Sequence, residues 1–227
     1  MPIAPVKQLT KAEIVWLGTH RCKCEHTYLE HYNCYVKENP QHQSVGFLDI
    51  EASNLKAPFG IVYTYCIKEL DGVLLKRAVT LKELYEEKYD KELLKQFIKD
   101  TERFGRLVVH YGTDYKFDLP FLRTRAVKWN LPFPEYKFTY ASDTWSIAKS
   151  KFCFHSNRLE TICQFFGISC KKHKLNPNVW IKMFTGNPKL MQQALNYIMK
   201  HNIEDVMSLE ALWKKINKYA NISKTSI

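Results

Sequence analysis

Four acids and one histidine in this chain stand at spacings suited to metal and proton chemistry. Asp49 and Glu51 lie two residues apart at the end of the apolar run Val45-Gly46-Phe47-Leu48-Asp49-Ile50-Glu51. That run reads as a buried strand, and residues i and i+2 of a strand share one face. Like charges on one face repel unless water or a hard cation lies against them, and Mg²⁺ takes oxygen ligands of this kind. Asp118 follows in Asp114-Tyr115-Lys116-Phe117-Asp118-Leu119-Pro120. It falls near the start of the next helix, either as an N-cap or as a third acid. Tyr197, His201 and Asp205 are spaced four apart, so on a helix all three share a face. Taken singly, His201 reads as an ordinary core or surface histidine and Asp205 as a solvated position.

A second cluster lies upstream. From His20 to Cys34, six of fifteen residues are Cys or His. Structural Zn²⁺ takes four tetrahedral nitrogen or sulfur ligands, usually as two close pairs. Cys22 or Cys24 with His26 supplies one pair, and His31 with Cys34 the other. The expected set is Cys22, His26, His31 and Cys34, with Cys24 as the substitute, holding one structural zinc ion. The alternative is a chance cluster of free thiols. A short segment poor in aliphatic residues needs a staple to become ordered, which favours the metal. Arg21, Lys23, Tyr28, Tyr32 and Tyr35 add charge and stacking faces that could grip a nucleic acid. Cys66, Cys153, Cys163 and Cys170 sit in apolar sequence and are expected to be buried small hydrophobes.

The elements that must position these residues follow from patterning. Residues 1–42 show little periodicity and form the expected Cys/His-rich extension; residues 43–227 form the main domain. After the first strand, Gly60 to Ile67 is β-branched and aromatic, a second strand. Asp71-Gly72 marks a tight hairpin into a third strand over Val73–Val79. Leu81 to Glu102 repeats apolar residues at helical spacing. Arg106–Tyr111 is a further buried strand, Phe121–Trp129 a helix, and Lys137–Ala141 a last strand ending near Asp143. The remainder reads mostly as helix. Hairpin strands followed by strands alternating with helices make an α/β domain, a mixed sheet flanked by helices.

Composition narrows the class. The 227 residues are 45% hydrophobic and 25% charged, the profile of a globular protein. No apolar run reaches the ~18–20 residues of a membrane span. The N-terminus lacks the apolar core of ~7–15 residues that a secretory signal carries. With seven cysteines, an odd number, a reducing, intracellular and cytoplasmic setting is expected. The net charge is +11, and residues 148–227 hold 13 basic against 4 acidic groups. One-sided positive charge suits a polyanion, although a solvated lysine-rich surface would look the same. Lys171, Lys172 and Lys174 are the densest part of this track and are expected to contact phosphate.

The four acids together resemble the motif pattern of the DEDD exonucleases, the DnaQ-like proofreading and RNA-trimming enzymes of the ribonuclease H-like fold. Asp49 and Glu51 match the first motif, Asp118 in the Phe117-Asp118 pair the second, and Asp205 the third, in order, within roughly residues 44–215. Asp114 stands where the second motif usually has Asn. His201 stands four before Asp205, the place of the tyrosine in one family branch. The resemblance implies metal-dependent 3′–5′ exonuclease action on single-stranded DNA or RNA, with Asp49, Glu51, Asp118 and Asp205 holding two Mg²⁺ or Mn²⁺ ions. His201 would be the general base, its free pKa of about 6.5 suiting it better than a tyrosine near 10; Tyr197 is the competitor. Two other readings stand beside it, a structure-selective endonuclease and a non-catalytic nucleic-acid-binding module. Size and the lack of any polymerase-like region imply a stand-alone enzyme or a subunit that works with replication, repair or RNA-processing partners.

Overall fold

The computed structural model describes residues 11–38, 44–113, 116–134, 139–169 and 176–220. The expected boundary at residues 42 and 43 falls outside them. At the centre is a five-stranded sheet in the order β3-β2-β1-β4-β5, built from β1 (Val45–Ala52), β2 (Val62–Glu69), β3 (Leu74–Ala78), β4 (Arg106–Val109) and β5 (Tyr140–Asp143). β1 runs antiparallel to β2 and parallel to β4; β2–β3 is antiparallel and β4–β5 parallel. β1 is the central strand. Its first four residues are all buried rather than alternating, as expected of a strand covered on both faces.

Helices cover both faces. On one, Leu48, Ile50, Tyr65, Ile67, Leu107 and Val109 pack with Leu93, Leu94 and Phe97 of α4 (Lys91–Thr101) and Leu119 and Leu122 of α5 (Asp118–Lys128). On the other, Val45, Phe47, Cys66 and Val108 meet α6 (Thr144–Lys151), α7 (Leu159–Phe165) and the second half of α9 (Pro188–Ile216). The short α8 (Pro177–Met183) packs beside α9. With 29 residues, α9 spans roughly 43 Å and lies across β1 and β2. Its start is set by Asn187, whose side chain accepts from the Lys189 and Leu190 amides, with Pro188 in the first turn. No helix among the described residues is long and apolar enough to cross a membrane.

The helix expected over Leu81–Glu102 is two helices, α3 (Leu81–Tyr85) and α4. Thr80 and Glu83 form a capping box that starts α3. Between the two, Glu87 and Tyr89 adopt left-handed backbone at φ 54° and 47°. The break frees Asp90 from capping and buries it fully. There it takes a bidentate bond from Arg125 (2.7 Å from both Nε and Nη2), one from Trp129 Nε1 at 2.8 Å and one from the Val62 amide at 3.0 Å. Periodicity carries no sign of a buried ion pair, so the two helices read as one. The last strand is described from Tyr140 to Asp143; its expected start at Lys137 lies outside the described residues, which omit 135–138. Cys66 and Cys163 are buried as expected, whereas Cys153 is exposed and Cys170 is not described. Cys153 lies in the irregular stretch after α6, where its neighbours Phe152 and Phe154 supply the packing.

In the N-terminal segment, α1 (Lys11–Thr19) and α2 (Tyr32–Glu38) flank a tight turn. Tyr140 at the edge strand donates to Asn33 Oδ1 at 2.8 Å, a direct tie between segment and sheet.

Candidate active site

Strand alternation puts Asp49 and Glu51 on the face that carries Phe47, and α9 covers that face. One turn of α9 brings His201, Asn202 and Asp205 over them. Glu51, His201 and Asp205 offer ligand atoms that all lie within 4.8 Å of one another. His201 Nδ1 is 3.1 Å from Asp205 Oδ2 and 3.8 Å from Glu51 Oε1. Asn202, fully buried, donates from Nδ2 to Asp49 Oδ2 at 2.5 Å. Tyr197 shares the helix face but is half-buried against the main apolar core.

Asp118 arrives from the other side of β1. It is the first residue of α5 rather than its N-cap, the cap position being Phe117, so the capping alternative is set aside. The loop from β4 must turn sharply to deliver it. Tyr111 takes left-handed backbone at φ 63°, and the Leu119 amide bonds back to the Gly112 carbonyl at 2.9 Å. A Cβ on Gly112 would overlap the Asp118 carboxylate and come within 2.8 Å of Val109 Cβ. Glycine is required here by space, not by dihedral angle.

Asp143, at the end of β5, braces that loop. Its Oδ1 accepts from the Tyr111 amide at 3.0 Å, and its Oδ2 from Thr113 Oγ1 at 3.0 Å and Lys116 Nζ at 2.7 Å. The same carboxylate caps α6 through the Trp145 and Ser146 amides. Burial alone would raise the Asp143 carboxyl. The Lys116 and Tyr111 hydrogen bonds outweigh it and hold the group below its usual value.

Asp49 and Asp118 behave oppositely. Burial pushes Asp49 well above the carboxylate range, and the charges of Asp205, Asp118 and Glu51 add to it. Burial likewise raises Asp118, with the charges of Asp143 and Glu51 contributing against a bond from the Ile50 backbone. Buried like charges without lysine or arginine among these causes form a donor set suited to hard divalent cations, whose charge would favour the ionised forms.

All five expected active-site residues thus lie on elements that converge, with Glu51, His201 and Asp205 as the tightest group. Asn202, Asp143 and Lys116 were missed. Asn202 sits three before Asp205, so helical spacing alone places it on the same face. Asp143 carried only a strand-end signal, and Lys116 none. Lys171, Lys172 and Lys174 lie outside the described residues. In the upstream cluster, Cys22, Cys24, His31 and Cys34 have ligand atoms within 4.8 Å of one another. His26 is not in this group, although its ring lies 4.1 Å centroid to centroid from that of His31.

The sequence profile of the RNase_H superfamily matches residues 46–217. No curated protein sequence matches the chain. Among solved structures, it resembles the family B DNA polymerase from the hyperthermophilic archaeon Pyrobaculum calidifontis, with a TM-score of 0.59 and 17% identity. The match covers 77% of this chain and 24% of that one, so the chain corresponds to about a quarter of the polymerase.

Proposed function

The chain belongs to the RNase_H superfamily, and on that premise we propose that it is a metal-dependent nuclease of DEDD type, a 3′–5′ exonuclease on single-stranded DNA or RNA. One observation carries this reading: acids from β1, α5 and α9 converge, and Asp49 and Asp118 among them are raised first by burial and then by the charges of neighbouring acids, Asp205, Asp118 and Glu51 for Asp49, Asp143 and Glu51 for Asp118.

Asp49, Glu51, Asp118 and Asp205 would hold two Mg²⁺ or Mn²⁺ ions. When bound, such ions lower the pKa of an attacking water and neutralise the departing 3′ oxygen. The chain's own residues then orient and move protons. Asn202 fixes Asp49 by holding one carboxylate oxygen. Lys116 and Asp143 fix the loop that carries Asp118. His201, whose Nδ1 lies 3.1 Å from Asp205 Oδ2 and 3.8 Å from Glu51 Oε1, would accept the proton of the attacking water. Tyr197 packs into the core and is the weaker candidate. The basic residues of 148–227 would hold the phosphate backbone, setting affinity rather than sequence choice.

Digestion of matched DNA and RNA oligonucleotides, labelled at the 5′ end and supplied with Mg²⁺, tests the proposal. A ladder of products shortened from the 3′ end is expected. Internal cuts would replace the exonuclease with a structure-selective endonuclease. A mobility shift without cleavage in either Mg²⁺ or Mn²⁺ would refute catalysis and leave a binding module.

A further inference from the structure

We propose that Cys22, Cys24, His31 and Cys34 form a zinc site that holds the N-terminal segment together, with His31 binding through Nδ1. The local backbone brings the ligands in as two pairs. Arg21 and Thr27 form an antiparallel bridge, the Cys22 amide bonds to the His26 carbonyl at 2.9 Å, and the Glu25 amide to the Cys22 carbonyl at 2.9 Å. Glu25 takes the left-handed φ of 66° that closes this turn. Cys22 and Cys24, two apart on the turn, join the shared cluster. The second pair sits at the entry to α2, where the Cys34 amide bonds to the His31 carbonyl at 2.8 Å. Glu30 secures the approach by accepting from the Thr27 amide at 2.9 Å and its hydroxyl at 2.8 Å.

The distances suit a tetrahedral ion. With Zn–S near 2.3 Å and Zn–N near 2.1 Å, ligands at the tetrahedral angle stand about 3.6 Å apart for S···N and about 3.8 Å for S···S. Cys22 Sγ and Cys34 Sγ lie 3.9 and 3.8 Å from His31 Nδ1. All four ligand atoms fall within 4.8 Å. Small contractions complete the shell.

The segment also needs a staple. Among the described residues of 11–38, Leu17 and Cys22 are the only buried apolar side chains. Two such residues make no core, and small units without one rely on metal or disulfides. The aromatic packing around it is partly exposed: Trp16, 40% accessible, stacks on His20 and Tyr28 at 4.1 and 5.7 Å.

The full chain, purified without chelator, should contain about one zinc. Cobalt substitution should give intense thiolate-to-metal absorption. His26→Ala should retain the metal, and Cys22→Ser, His31→Ala and Cys34→Ser should lose it. Cys24→Ser should weaken binding and reduce the charge-transfer band. To separate loss of metal from loss of fold, the unmodified chain is treated with a zinc chelator and digested with limiting protease. Cleavage should then appear within residues 11–38 while the sheet domain survives. A metal-free protein with the segment still protected would overturn the proposal, as would a disulfide linking two of the three thiols. Loss of zinc in His26→Ala with retention in Cys24→Ser would overturn the ligand set.

Discussion

Gly112→Ala offers the sharpest test of how the fold builds the acid cluster. The added methyl would overlap the Asp118 carboxylate and press on Val109 Cβ at 2.8 Å. Ordinary contact needs about 3.5 Å, so the carboxylate must retreat by roughly 1 Å. Val109 belongs to a buried strand and cannot yield much, so the backbone at residue 112 must shift away from it and carry the clash onto Asp118. A displacement of about 1 Å at a reacting centre costs on the order of 10²-fold in rate. The α5 helix itself is little affected, because its hydrophobic side still packs. Gly112→Ala should therefore stay folded at 25 °C, destabilised by about 1–3 kcal/mol. It should cleave labelled oligonucleotide roughly 10²-fold more slowly and need more Mg²⁺ for half-maximal rate. Full activity at unchanged Mg²⁺ demand would refute the claim that Asp118 serves the site from this position.

Other predictions are independent of that one. His201→Ala should lower kcat by roughly 10²–10⁴-fold while metal binding persists, whereas Asp205→Ala should lose metal as well as rate; calorimetric Mn²⁺ titration separates the two. Asp90→Ala leaves Arg125 buried and unpaired, and should lower urea-unfolding stability by about 3–5 kcal/mol. The Asp143 carboxyl is held below its usual value. It thus contributes stability that is present above the ordinary Asp pKa of about 3.9 and lost as pH falls through the lowered folded value. Lys116→Met should narrow that contribution, so its melting temperature should approach that of the unmodified protein as pH falls below about 3.9. Replacing Lys171, Lys172 and Lys174 with Ala should reduce the salt slope of single-strand binding by up to about 2, at about 0.7 per phosphate contact; an unchanged slope would remove them from the track.

The parts of the molecule legible in the chain are those governed by short-range patterning. β1, the Asp71-Gly72 hairpin and the helix face of His201 and Asp205 each rest on spacing within one element, and each is found as expected. The misread parts depend on contacts remote in sequence. Asp90 interrupts a helix because Arg125, thirty-five residues on, requires a partner. Asp143 matters because Lys116 and Tyr111 reach it across two parallel strands. Cys24 rather than His26 falls with Cys22, His31 and Cys34 in the structure, a grouping set by the turn around left-handed Glu25 that ligand spacing in the sequence does not distinguish.

These remote contacts serve a common purpose at the acid cluster. Carboxylates placed close together repel, and burial sharpens the repulsion. An unbraced loop would relieve it by swinging Asp118 away. The Lys116–Asp143 pair, bonded in turn to Thr113, Tyr111 and the first turn of α6, opposes that swing from the β5 end of the sheet. On the α9 side, Asn202 holds Asp49 and the Lys68–Glu210 bridge at 3.2 Å ties the helix to β2. The acids are thus kept together from two directions by neutral or paired groups. Under the proposed function, a cation would meet ligands already assembled, and that ordering would be the fold's contribution to the chemistry.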